Sequence, residues 1–208
     1  MEIRLRRVNL SNFQLRLISA LVLAPLVLGA VYLGGWVYAA MVTFFVTVGL
    51  YEWLRLINPN LKKPIKIFAL CGLVIVMSAA FVNSPMIGLI AAVGVSFMLY
   101  IDAGFWIAAG IPYMAGGGLA MLYLRQLDID ASPLGLFIIC YLCAVVWATD
   151  IGAYIFGRLI GGPKLAPKIS PNKTWAGLIG GVASASISGY ALAAAMGMPA
   201  LTSLLLSP

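Results

Sequence analysis

The chain has 208 residues, 63% of them hydrophobic and only 9% charged, with a formal net charge of +7. Ordinary soluble domains carry about a quarter charged residues, and a soluble core could not hide this much apolar surface, so the composition indicates an all-α, polytopic membrane helix bundle. The basic residues lie scattered between apolar runs, a pattern of anionic-lipid contact and topology signals rather than of nucleic-acid binding, and the lack of any histidine excludes histidine-ligated zinc.

A helix needs roughly 20 apolar residues to cross about 30 Å of hydrocarbon. Seven runs qualify in chain order: 17–34, 36–57, 65–82, 85–101, 103–124, 134–157 and 175–197. Residues 1–16 are basic and polar and lead into a long apolar run, which reads as a signal-anchor rather than a cleaved signal peptide. The fourth and fifth runs are barely separated by Asp102 and Gly104, so a re-entrant segment is an open alternative there. Within the fifth, Gly110-Ile111-Pro112 and Gly116-Gly117-Gly118 are expected to interrupt the helix, which is tolerated only where neighbouring protein or water satisfies the freed backbone groups. Cys140 and Cys143 form a C-x-x-C inside the sixth run and read as small packing residues, not a redox pair. The seventh run opens on Gly177 and Gly181 at G-x-x-x-G spacing, followed by Ser184, Ser186 and Ser188, small residues that let helices approach closely. The tail 198–208 is too short to span. With no repeat or linker, the whole of 1–208 reads as one integral membrane domain.

Counting basic residues sets the orientation. With the N-terminus in the cytoplasm, Arg4, Arg6, Arg7, Arg16, Arg55, Lys62, Lys63, Lys66, Arg158, Lys164, Lys168 and Lys173 all fall inside, and Arg125 alone falls outside. That is a strong positive-inside bias, and removing one of spans three to five would reverse the 158–173 cluster.

The chain has six acids. Glu2, Asp128 and Asp130 sit in exposed stretches, and Asp102 at an uncertain span boundary. Glu52 lies near the end of span two, one turn before Arg55, where either a local ion pair or a site role is open. Asp150 is set in AVVWATDIGAYIFGR, about two turns inside the end of span six. An ionisable group at that depth costs several kcal/mol or more and usually faces a polar cavity. Tyr154 and Arg158 follow at i+4 and i+8, so the three share a helix face, and Gly152 and Gly157 leave room for a neighbour or ligand. A carboxylate near cations, without histidine, suits a hard cation such as Mg²⁺ shared with substrate phosphates.

Residues 164–177 read KLAPKISPNKTWAG. Ser170-Pro171 is an N-cap followed by proline at the first helical position, and Thr174 is a second possible cap, so a helix is expected to start here and run into span seven. A helix N-terminus with free N–H groups suits phosphate. Lys164, Lys168 and Lys173 add ammonium groups, Arg158 adds a bidentate guanidinium, and Pro163, Pro167 and Pro171 stiffen the loop. Lys173-Thr174 does not end a Walker A loop, because Asn172 occupies the required glycine position and no strand is expected before it. A plain positive-inside anchor would explain the charge but not the Ser, Asn and Thr. The residues point to a phosphate-rich ligand at the cytoplasmic interface.

The run Asp150-Ile-Gly-Ala-Tyr154…Gly157-Arg158…Gly162-Pro-Lys164-Leu-Ala-Pro-Lys168-Ile-Ser170-Pro-Asn172-Lys173-Thr174-Trp175-Ala-Gly177 resembles the phosphatidate cytidylyltransferase (CDP-diacylglycerol synthase) family. Arg16-Leu-Ile-Ser-Ala, Tyr51-Glu52 and Gly110-Ile-Pro-Tyr113 extend the similarity to the N-terminal half. The resemblance implies a multispanning homodimer that transfers CMP from CTP to phosphatidic acid with Mg²⁺, in the bacterial inner membrane with its site on the cytoplasmic face. It implies that Asp150 holds or positions metal and, with Lys173, is catalytic. Arg158, Lys164, Lys168, Ser170, Asn172 and Thr174 are then nucleotide- or phosphate-binding, Ser170 and Thr174 also as helix caps. The family's C-terminal signature, with its Pro-Gly-His-Gly-Gly and paired aspartates, is missing before Pro208. On the resemblance, the chain is either the N-terminal part of a longer family fold or a non-catalytic relative that binds nucleotide or anionic lipid. A transporter subunit is a third reading, motivated by the interrupted span five and the buried acid.

Overall fold

A computed structural model of the chain describes residues 12–127 and 133–196. Glu2, Arg4, Arg6, Arg7, Asp128, Asp130 and the tail 198–208 lie outside the described residues. Among the described residues seven helices run in order: α1 (Asn12–Leu33), α2 (Gly35–Ile57), α3 (Lys63–Val82), α4 (Pro85–Ala103), α5 (Phe105–Arg125), α6 (Leu134–Leu159) and α7 (Trp175–Ala195). Six of them, α2 to α7, are long and apolar enough to cross a membrane, and α1 adds a shorter apolar stretch, Leu21–Leu33. Large apolar side chains such as Ile75, Ile90, Val93, Phe97 and Ile187 are exposed on the outer surface of these helices, as a protein solvated by lipid requires. The chain divides into two compact units, Met1–Tyr123 and Leu124–Pro208.

The first unit is held by small residues at helix crossings and by a few polar ties. Tyr38, Leu50, Leu54, Leu73, Val76, Met77, Leu99 and Ile111 form its centre. Ser96 donates to the carbonyl of Ala108 at 3.0 Å, joining α4 to α5, and the indole N–H of Trp53 donates to the carbonyl of Trp106 at 2.8 Å, joining α2 to the start of α5. Trp53 also stacks on Tyr113 with ring centroids 5.4 Å apart. The expected break in span five is corrected: α5 is continuous through Pro112. Two of its glycines, Gly110 and Gly118, serve close packing instead. A Cβ at Gly110 would lie 2.7 Å from Trp53 Cδ1, and one at Gly118 would lie 2.7 Å from Met77 Cε. The re-entrant alternative falls with it, since α4 and α5 are separate full-length helices joined at Gly104, whose φ of 86° is a left-handed conformation that glycine adopts without strain. The local Glu52–Arg55 ion pair is not formed among the described residues.

The second unit is the antiparallel pair α6 and α7, joined by a short β-hairpin. The helices touch along most of their length: a Cβ at Gly189 would lie 2.9 Å from Tyr141 Oη, one at Gly181 3.1 Å from the Thr149 carbonyl, and one at Gly157 3.4 Å from Gly177 Cα. Gly152 lies against Ser184, and Gly180 lies against Phe156. The expected close approach through small residues is therefore present, and α7 is the neighbour that Gly152 and Gly157 admit. Cys140 and Cys143 are free thiols, partly buried within α6.

Candidate active site

The hairpin is the main departure from the sequence expectation. β1 (Lys164–Ala166) pairs antiparallel with β2 (Ser170–Thr174), with Lys164 opposite Thr174, Ala166 opposite Ser170, and an irregularity between them. Ser170-Pro171 therefore does not start a helix, and a strand does precede Lys173. The Ser-Pro pair is ambiguous by its physics: proline fits a first helical turn, but it also fits a strand in a two-stranded ribbon, where its missing N–H leaves no ladder partner unpaired. The tip is a four-residue turn closed by the Ile169 N–H on the Ala166 carbonyl at 3.1 Å, with Pro167 at its second position. Lys168 stands at this tip, exposed, beside Ile169, which is exposed as well. At the other end, Gly161 (φ 66°) and Gly162 (φ 87°) turn the chain out of α6 into β1.

Thr174 is the N-cap of α7, the second of the two expected positions. Its Oγ1 accepts the Gly177 N–H at 3.1 Å, and it is only 6% exposed. The Trp175 N–H donates to the Pro163 carbonyl at 3.1 Å. Two of the free N–H groups expected at this helix start are thus satisfied within the chain. Alternation along β2 turns Lys173 outward where Thr174 turns inward. Asn172 is exposed and Ser170 half-buried.

On α6, Asp150, Tyr154 and Arg158 are all exposed, and Arg158 Nη1 donates to Tyr154 Oη at 2.8 Å. Asp150 and Arg158 are about 12 Å apart along the helix axis, too far for a direct pair. The structure therefore gathers Arg158, Lys164, Lys168, Lys173, Ser170 and Asn172 around the hairpin, and places Asp150 two turns back along the same helix. Sequence reasoning missed the Pro163–Trp175 tie, because a backbone carbonyl leaves no side-chain signal.

Asp150 is the one carboxylate in the described part of this unit, and no group of three or more His, Cys, Asp or Glu lies together among the described residues. This donor set fits a hard cation that takes most of its ligands from substrate phosphates and water, and does not fit a closed protein cage. Four cations around the hairpin, with one carboxylate nearby, suit a polyanionic ligand rather than a cationic one.

The cytidylyltransferase family model matches residues 14–207 of the chain. Phosphatidate cytidylyltransferase of Brucella suis biovar 1 is 35% identical over 201 residues, covering 91% of this chain and 71% of its own length. The enzymes of that name from Haemophilus influenzae and Pseudomonas aeruginosa are 32% identical over 209 residues and 31% over 185, covering 84% and 81% of this chain and 70% and 66% of their own lengths. No solved structure matches the chain significantly.

Proposed function

Since the chain belongs to the cytidylyltransferase family, we propose that it transfers CMP from CTP to phosphatidic acid, yielding CDP-diacylglycerol and pyrophosphate for phospholipid synthesis. It is an integral membrane nucleotidyltransferase. A phosphate oxygen of the lipid attacks the α-phosphorus of CTP. The new P–O bond joins CMP to the lipid phosphate, the bond from the α-phosphorus to the bridging oxygen breaks, and pyrophosphate leaves with that electron pair. Both substrates are strongly anionic, so the protein's task is to bring them together and neutralise charge.

One observation carries the assignment of residues: Arg158, Lys164, Lys168 and Lys173 are exposed together at the end of the helix that bears Asp150. Arg158, oriented by Tyr154, presents a planar fork to a phosphate. Lys173 faces outward next to the anchored Thr174 and is placed to neutralise charge on the transferred or leaving phosphate. Lys164 and Lys168, with Ser170 and Asn172 between the basic positions, hold the triphosphate. Asp150 would hold Mg²⁺, which supplies charge neutralisation between the phosphates. The basic bias supports a cytoplasmic N-terminus and a site on the cytoplasmic face of a bacterial inner membrane, where anionic lipids supply the second substrate. A homodimer is the proposed assembly.

Purified protein in detergent, given CTP, Mg²⁺ and phosphatidic acid, releases pyrophosphate. Release no greater than that of Lys173→Ala would refute the proposal. CTP or phosphatidate binding without any release would favour a binding protein, the reading supported by Asp150 being the one carboxylate described in the second unit.

A further inference from the structure

Thr174 is the one buried polar side chain described in the second unit, and it lies among the basic residues of the hairpin without being exposed as they are. Its Oγ1 holds the Gly177 N–H at 3.1 Å. A Cβ added at Gly157 would come within 3.2 Å of that same oxygen, and one at Gly177 within 3.3 Å. On α6, Gly157 is followed directly by Arg158. On β2, Thr174 is preceded directly by Lys173. Across the hairpin, Thr174 stands opposite Lys164. Next to it, the Trp175 N–H ties the segment to Pro163, the residue before Lys164. Three of the four cations are therefore one residue, or one cross-strand pair, from a single contact between Thr174 and Gly157.

We infer that Thr174 is a positioning residue for CMP transfer: its buried hydroxyl, seated against Gly157, fixes Arg158, Lys164 and Lys173 relative to one another and does not itself touch substrate. The inference rests on the CMP-transfer reading and gives Thr174 a different role from the phosphate contact expected of it. Long ammonium side chains can follow a loosely held ligand, but the developing charge on a transferred phosphoryl group needs fixed partners. A misplacement near 1 Å is enough to cost about 10²-fold in rate.

The test compares wild type, Thr174→Ser, Thr174→Val and Gly157→Ala in the full chain, each scored for folded fraction in detergent. Thr174→Val is nearly isosteric but has no hydroxyl. It is expected to lower kcat/KM for CTP by about 10²-fold, with part of the loss as a raised KM. Thr174→Ser keeps the oxygen and is expected within about threefold of wild type. Gly157→Ala wedges a methyl against the hydroxyl and is expected to fall between them. A loss confined to the amount of active protein, with KM unmoved, would mean that Thr174 serves folding only and would overturn the inference. Amide hydrogen exchange supplies a readout independent of turnover: Thr174→Val should speed exchange at Ile169, Trp175 and Gly177 while leaving the middle of α6 unchanged. Unchanged exchange at Ile169, Trp175 and Gly177 overturns the inference whether or not the chain is active. If wild type releases no pyrophosphate but the exchange pattern changes as expected, the functional reading fails and the positioning contact stands.

Discussion

Replacing Gly110 with alanine puts a methyl group 2.7 Å from Trp53 Cδ1 and 2.9 Å from both Leu50 Cδ1 and Trp53 Nε1. Leu50 is fully buried, so it has nowhere to retreat, and the indole must move. Trp53 is held by its N–H bond to the Trp106 carbonyl at 2.8 Å and by stacking on Tyr113 at 5.4 Å. Overpacking a filled site costs about 1–3 kcal/mol, a lost hydrogen bond about 1 kcal/mol, and a disturbed aromatic pair about 0.5–1.5 kcal/mol. The sum, about 2.5–5.5 kcal/mol, corresponds to a melting-temperature drop of roughly 5–20 °C for a chain of this length. The same helix supplies its own control. A Cβ at Gly116 or Gly117 meets nothing within 4 Å, so alanine there is neutral or stabilising by up to about 1 kcal/mol. Thermal unfolding of the three variants in one detergent, followed by tryptophan fluorescence, makes the comparison. A Gly110→Ala protein that melts within a degree of wild type, or one no worse than Gly116→Ala, would refute the packing argument for α5.

Asp150→Asn preserves shape and removes the unit's one described carboxylate; pyrophosphate release should fall by about 10²-fold or more while the melting temperature moves by no more than a degree or two, and retained turnover would remove Asp150 from the metal-holding role. Lys173, set beside the anchored Thr174, should matter more than Lys168 at the turn. Its alanine variant is expected to lose about 10²-fold in kcat/KM for CTP against less than tenfold for Lys168→Ala, and the reverse order would contradict the division into fixed and mobile cations. Replacing both Cys140 and Cys143 with alanine should leave turnover within about twofold, with no response to reductant, since these are free thiols in helix packing.

Much of this was legible in the sequence. Apolar run length marks a helix in lipid because every backbone group must be satisfied within the segment, and the runs 36–57, 65–82 and 175–197 meet α2, α3 and α7 within a few residues. The Asp150, Tyr154, Arg158 line is also where helical spacing puts it. Other features were hidden for definite reasons. Gly110 and Pro112 carry the signature of a break, but whether a glycine frees a backbone or admits a tryptophan depends on α2, some 50 residues away. The hairpin 164–174 has strands of three and five residues, too short for any alternation to register, and its prolines mimic a helix start. Thr174 was visible as a cap, but its burial depends on Gly157, which only the fold brings to it.

The contact between Gly157 and Gly177 also has a consequence for biosynthesis. It closes a loop of only about 20 residues, and each doubling of a loop adds only about 0.6 kcal/mol to its closure, so the chain entropy opposing this one is near the low end for a tertiary contact. Low sequence separation also favours fast formation. The cradle of cations is thus set by a helical hairpin that can close as α7 emerges, and its geometry is a local property of the nascent chain.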